Sequence, residues 1–209
     1  MLLDVKEILD LMGITVRGII HMGAHLCEEM ETYKKWNIHP NNVVWIDAND
    51  TLVEQNRARG IPNVYCAALD EIIRTSEFRI TNNGQSSSLL ELGTHTTDYP
   101  HIVVVETRQV STITLPGFLK EHLLTPVDYN LWNLDIQGVE LQVLRGATTL
   151  LDQVDAIYTE VNSQEVYKGA GLISEIDSLL DNHGFKRVLT YMTSAGWGDA
   201  LYIKIQKPA

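Results

Sequence analysis

The sequence predicts an α/β fold: a doubly wound, mostly parallel sheet with an antiparallel terminal strand and a hairpin insertion after the third strand. Three observations carry this expectation. Short apolar runs without alternation, Ile19-Ile20, Val43 to Asp47 and Val64 to Ala68, are separated by segments with helical spacing. Such runs suit strands that helices cover on both faces. The rhythm breaks after Ala68 and resumes at Asn130, which marks an insertion. Finally, the last two apolar runs are joined by only a short turn, so they pair antiparallel.

Taken in order, Val5, Ile8, Leu9 and Met12 fall at helical spacing before Gly13, giving a short opening helix. Ile19-Ile20 is the first strand, Glu28 to Trp36 a helix, and Val43 to Asp47 the second strand. Thr51 and Glu54 form a capping-box pattern for a helix reaching Ala58. Val64 to Ala68 is the third strand. Glu77 to Thr81 and Val103 to Thr114 read as extended segments around the polar loop Asn82 to Ser88. Asn130 to Asp135 is a strand and Val139 to Leu144 a helix, which Gly146 breaks before Ala147 to Leu151. Ala156 to Val161 is the next strand. Leu172, Ile176, Leu179 and Leu180 mark a helix closed by Gly184, and Phe185 to Tyr191 and Ala200 to Ile205 are the closing strands.

The 209 residues suit one domain, 1–209, a length that also fits a piece excised from a longer chain. A net charge of -11 argues against a phosphate-tracking surface, so no nucleic acid is expected as partner. No window approaches the about 18 apolar residues of a membrane span. Met1-Leu-Leu-Asp-Val-Lys6 lacks the order of a signal peptide, and Cys27 and Cys66 read as reduced, buried thiols, so the expected location is cytoplasmic.

The segment Gly18 to Glu29 joins an apolar strand to a helix through the small residues Gly23 and Ala24, where backbone can approach a ligand and amides can hold an anion. Asp47 ends the next strand, placed for a ribose. Ala68 and Leu69 lie where an adenine would. The Gly-x-Gly-x-x-Gly fingerprint is absent, which shifts weight from a dinucleotide to S-adenosylmethionine.

Asp135 in Trp132-Asn-Leu-Asp-Ile-Gln-Gly-Val-Glu140 is the leading catalytic candidate, a carboxylate at the C-terminal end of a buried strand; as a single acid it also suits a helix cap. Glu160 and Asn162 repeat the arrangement on the next strand. His25 and His95 are candidate general bases near neutral pH. The loop Gln85-Ser-Ser-Ser88 suits a polar, sugar-like ligand, and Trp197 suits stacking on a sugar face or anchoring the closing hairpin. The dispersed His21, His25, Cys27 and Cys66 do not make a zinc motif, and Ile136 and Gln137 rather than a second acid follow Asp135; no metal is expected.

Ile20-His-Met-Gly-Ala-His25, Asn63-Val-Tyr-Cys-Ala-Ala-Leu69, Gln85-Ser-Ser-Ser88, Leu134-Asp-Ile-Gln-Gly-Val-Glu-Leu-Gln-Val-Leu-Arg-Gly-Ala147 and Tyr158-Thr-Glu-Val161 together resemble the FkbM family of S-adenosylmethionine-dependent methyltransferases. The resemblance spans Ile19 to Ile203 and implies a class I methyltransferase-like, Rossmann-like fold. It implies cofactor contacts at His21, Gly23, Ala24 and His25 (methionine side), Asp47 and Ala48 (ribose), and Ala68 and Leu69 (adenine). His21 departs from the Asp of many members, and Asp47-Ala48 from a frequent Glu-Pro. Trp45-Ile-Asp-Ala48 and Trp197-Gly-Asp-Ala200 resemble a subgroup found in large DNA viruses and some bacteria. The implied reaction is O-methylation of a sugar hydroxyl, such as that of a terminal rhamnose, on a small-molecule or glycan acceptor. Asp135 would act as base with His25 or His95, and Ser86, Ser87, Gln137, Glu160, Asn162 and Trp197 would hold the sugar. Such a chain suits fusion to glycosyltransferase domains, and host cytoplasm if viral. A nicotinamide-dependent oxidoreductase and a non-catalytic glycan-binding domain remain the alternatives.

Overall fold

Val43, Val44, Trp45 and Ile46 are all buried, although a strand turns successive side chains to opposite faces. The computed structural model, which describes residues 3–205, shows why. Val44 and Ile46 pack into one core with Trp132, Leu144, Ile157 and Phe185, while Val43 and Trp45 pack into a second with Leu9, Tyr33, Leu131 and Leu201. One core lies on each face of the sheet, so Val43 to Ile46 are covered on both sides.

The elements in chain order are α1 (Lys6–Leu11), β1 (Ile19–Met22), α2 (Met30–Lys35), β2 (Val43–Asp47), α3 (Asp50–Ala58), β3 (Val64–Cys66), β4 (Ala68–Leu69) and β5 (Thr75–Thr81). There follow α4 (His95–Asp98), β6 (Val104–Ile113), α5 (Leu115–Glu121), β7 (Leu131–Leu134), α6 (Glu140–Gly146), β8 (Ala156–Asn162), α7 (Ile173–Asn182), β9 (Phe185–Met192) and β10 (Trp197–Lys204). The main sheet runs β3-β2-β1-β7-β8-β10-β9. Its first five strands are parallel, and β10 lies antiparallel between β8 and β9. The fold is the expected Rossmann-like one.

The direction of winding reverses between β1 and β7, the place where an open α/β sheet leaves a crevice. Register then sets what lines it. Met22 pairs with Ile46 and with Leu134, Leu134 pairs with Thr159, and Glu160 pairs with Asp199. The next residue on each strand therefore brings Gly23, Asp47, Asp135, Glu160 and Asp199 into one row across the sheet edge.

Local structure departs from the sequence expectation in several places. The third strand is not one run: β3 ends at Cys66, and Ala68 and Leu69 join a second sheet, pairing with Thr112 and Ile113 of β6. That sheet has the order β4-β6-β5, with β5 and β6 antiparallel. Helix α2 begins at Met30 rather than Glu28, because Cys27 has φ 55° and the Glu28 carboxylate turns back to the Leu26 amide. Met12 projects into solvent beyond α1. Cys27 is buried but Cys66, on the edge strand β3, is exposed; both are free thiols.

Helix α3 is capped by Asn49, whose side chain accepts from the Thr51 amide at 3.2 Å, and not by the Thr51 and Glu54 pair. Asn49→Ala should therefore destabilise the fold by about 1 kcal/mol in a denaturant titration, whereas Thr51→Ala should stay within about 0.5 kcal/mol of the parent.

Candidate active site

Above the row of strand ends lies a cavity of about 440 Å³. His21, Gly23, His25, Ser86, His95, Asp135, Gln137, Glu160 and Trp197 line it. Beside it a narrower cavity is lined by Asp47, Ala48, Ala68, Leu69, Phe78, Ser87 and Val139. Gly23, His25, Gln85, Asp135 and Gln137 border both, so the two form one crevice.

Two residues expected here lie elsewhere. Ala24 is 1% exposed and packs with Cys27, Met30 and Tyr33 under the sheet; Asn162 is 1% exposed and lines neither cavity. Conversely Glu28, Glu29, Tyr99, Tyr167 and Asp199 line the larger cavity and were not singled out by sequence. Only Asp199 carried a signal, its closeness to Trp197 on the last strand. Tyr167 sits in an irregular segment, and irregular segments have no periodicity to read.

Gly23 has φ 90°, and a Cβ there would meet the Asp135 carbonyl oxygen at 1.7 Å. The glycine is needed because β1 and β7 deliver their loops into contact. It is the chain's own backbone, before any ligand, that a side chain would strike. The turn's amides are likewise engaged internally: the His25 N–H donates to Asp47 Oδ2 at 2.7 Å and the Leu26 N–H to Glu28 Oε2 at 3.1 Å. An anion held by those amides, as the strand-to-helix turn suggested, would have to displace a carboxylate. Asp47 also accepts from the Asn49 N–H at 2.8 Å.

Asp135 is not the helix cap. Among the described residues no side chain caps α6; its first residue Glu140, buried at 2% exposure, instead ties down the loop before the helix, its carboxylate accepting from the amides of Ile136 at 2.9 Å and Gly138 at 3.0 Å. Asp135 is left to face the crevice, where its Oδ1 accepts from Gln137 Nε2 at 2.6 Å. The same nitrogen donates to Glu160 Oε2 at 2.9 Å, and Gln137 Oε1 accepts from the Tyr167 hydroxyl at 2.5 Å. Gln137 holds φ 59° to make these contacts, and Ser88 Oγ donates to its carbonyl at 2.6 Å.

Burial, with the Asp199 carboxylate nearby, pushes Asp135 up to about 6. Burial and the charge of Asp135 hold Glu160 well above the usual carboxylate range. Burial likewise pushes Glu140 up to about 7, against the pull of the amides it accepts from. A carboxyl that binds its proton more tightly folded than unfolded stabilises the fold fully below its ordinary pKa, and that contribution is lost as pH rises through the folded value. The thermal midpoint should therefore fall from pH 5 to pH 8, and fall less in Glu140→Gln, as scanning calorimetry of the two proteins would read.

The histidines differ in kind. Burial lowers His21 to about 4, and its neutral ring stacks on Trp45 at 4.7 Å with Nδ1 2.9 Å from the Tyr33 hydroxyl. The Glu28 carboxylate, 2.6 Å from Nδ1, raises His25 and so favours its protonated form. Burial lowers His95; its Nε2 lies 3.2 Å from Ser86 Oγ, so it stays neutral beside the cavity. Ser87 lines the narrower cavity while its hydroxyl donates to the Gly84 carbonyl at 2.7 Å. Trp197 Nε1 donates to the Tyr99 hydroxyl at 3.0 Å, which joins two aromatic side chains in the lining of the cavity that the acids share. Among the described residues, no group of three or more His, Cys, Asp or Glu side chains is arranged to hold a metal ion.

The Methyltransferase FkbM domain model matches residues 24–187, a span that begins just after Gly23 and takes in Asp47, the Gln85 to Ser88 loop, Asp135 and Glu160. The chain belongs to the FkbM methyltransferase family. No curated protein matches it as a relative. Among solved structures, this FkbM domain is similar to a protein of the NADB-Rossmann superfamily from Streptococcus agalactiae, at 7% identity and a TM-score of 0.52, over 100% of this chain and 72% of that one. At that identity the likeness shows the fold. A magnesium protoporphyrin IX methyltransferase from Synechocystis, solved with bound S-adenosylmethionine, matches at 10% identity and a TM-score of 0.49, over 96% of this chain and 76% of that one.

Proposed function

We propose that this FkbM methyltransferase transfers a methyl group from S-adenosylmethionine to a sugar hydroxyl, that of a deoxyhexose such as rhamnose on a glycan. The observation that carries the reading is the pair Asp135 and Glu160, set side by side at the ends of adjacent parallel strands in a cavity that Trp197 and Tyr99 also line. The chemistry of the crevice fits the cofactor. Ala68, Leu69, Phe78, Ile136 and Val139 supply apolar walls for an adenine, with the Asp47 carboxylate at their edge for ribose hydroxyls. Acidic side chains line the wider end, which suits a ligand carrying an ammonium and a sulfonium. Trp45-Ile-Asp-Ala48 and Trp197-Gly-Asp-Ala200, the variants that resemble the viral subgroup, support a surface-glycan sugar as acceptor.

Bound S-adenosylmethionine supplies a methyl group activated by a positively charged sulfur. Asp135 takes the proton of the acceptor hydroxyl as its oxygen forms the new O–CH3 bond and the S–CH3 bond breaks. A positioned base of this kind contributes about two to four powers of ten in rate. Neutral His95, with Ser86, holds the hydroxyl edge of the sugar, and Trp197 and Tyr99 cover its apolar face.

The test incubates the chain with methyl-labelled cofactor and a panel of glycosides led by rhamnosides, and locates the label by mass spectrometry. Label on one sugar oxygen supports the reading. Cofactor bound without turnover on any member, or calorimetry showing NAD bound in its place, overturns it.

A further inference from the structure

Tyr167 belongs to no strand or helix, is 1% exposed, and reaches the catalytic acids only through Gln137. Its hydroxyl donates to Gln137 Oε1 at 2.5 Å and also lies 3.4 Å from the Ser86 carbonyl. An amide has one accepting end and one donating end. With the oxygen taken by Tyr167, the nitrogen must point at the acids, and it reaches Asp135 at 2.6 Å and Glu160 at 2.9 Å. Turned over, the amide would present its oxygen to two carboxyl groups, an arrangement with no donor unless a carboxyl is protonated. Two further contacts hold the glutamine in place. Ser88 Oγ bonds its carbonyl, and Gly138, at φ 102°, packs where a Cβ would lie 3.0 Å from Tyr167 Cβ.

We propose that Tyr167 and Gln137 form a clamp that orients Asp135 and Glu160 for the reaction, Tyr167 being a positioning residue that acts on the acids through Gln137. The proposal rests on the reading of Asp135 as base. With Oδ1 held by Gln137, Asp135 has Oδ2 free to accept the acceptor's proton, while Glu160 shares the same donor. The described groups that line the cavity with this pair or act on it are His21 of β1, His25 of the turn after it, Glu28 and Glu29 before α2, His95 of α4, Glu140 of α6 and Asp199 of β10. Of these, Asp199 and Glu140 add negative charge beside Glu160, so the amide nitrogen is the neutral donor that offsets their crowding.

A double-mutant cycle tests the clamp. Tyr167→Phe removes only the hydroxyl, and is expected to lower kcat about tenfold, equivalent to ~1.4 kcal/mol, with KM and S-adenosylhomocysteine affinity within about twofold of the parent. Placed on Asp135→Asn, the same change should have little further effect on kcat. An equal loss in both backgrounds, or no loss in either, overturns the proposal. Gln137→Glu covers the case in which Tyr167→Phe does not fold. It still accepts from Tyr167 but gives the acids no donor, so the acid limb of the kcat profile should move to higher pH; an unmoved limb overturns the clamp. Full turnover by Asp135→Asn would instead remove the base itself, a failure of the underlying reading that the cycle separates from a failure of the clamp.

Discussion

Asp135→Asn is expected to lower kcat by about 10²- to 10⁴-fold while S-adenosylhomocysteine binds within a few-fold of its parent affinity. The substitution is nearly isosteric and keeps the contact to Gln137, because an asparagine oxygen still accepts from the amide nitrogen at Oδ1. What is lost is the charge. A base must be deprotonated to act, and burial together with Asp199 places Asp135 at about 6. In the parent, kcat should therefore rise with pH through about 6 and level off above it; in Asp135→Asn that limb should vanish from the residual rate. Isothermal calorimetry and a pH–rate series on both proteins check the two halves. Retention of full turnover with the limb intact would assign the proton to another group, of which neutral His95 is the nearest in kind.

The second large effect is expected at Gly23→Ala. The added Cβ would sit 1.7 Å from the Asp135 carbonyl oxygen and 2.6 Å from its carbon, and the residue would be held at φ 90°. Neither obstacle is a flexible side-chain end, so β1 and β7 have to part at the row that carries the site. A loss of roughly 3 kcal/mol follows from strain and displaced packing together, which lowers the thermal midpoint by roughly 6–12 °C in a chain of this size. S-adenosylhomocysteine binding should fall below detection. Gly184→Ala is the matched control, with φ 82° but nothing within 4 Å of the new Cβ. It should lose only about 1–2 kcal/mol, the backbone term alone, and bind normally. Equal destabilisation by the two would mean that backbone strain and not the contact with Asp135 makes Gly23 necessary.

Much of the scaffold could be read from the chain because the signal is local and repeated. Unbroken apolar runs such as Val43 to Ile46 mean burial on both faces, and burial on both faces means parallel strands between helices. That reasoning also set Asp47, Asp135 and Glu160 at strand ends and so on one edge of the sheet. It failed where pairing overrides pattern. Val64 to Ala68 looks like one strand, yet Ala68, with Leu69 after it, bonds to β6, more than forty positions later in sequence, and nothing within the run announces that partner.

The periodicity of the sequence by itself determined the sheet, its cover of helices and the carboxylates at its rim, since these follow from how often apolar side chains recur. Which polar groups meet was decided by tertiary structure alone. Asp199 joins the row through strand register, Glu140 ties down the loop that follows Asp135, and Tyr167 reaches Asp135 through Gln137 from an irregular segment. Hydrogen bonds act over about 3 Å between residues whose separation along the chain carries no period, so their pairing exists only once the core has brought the strands together.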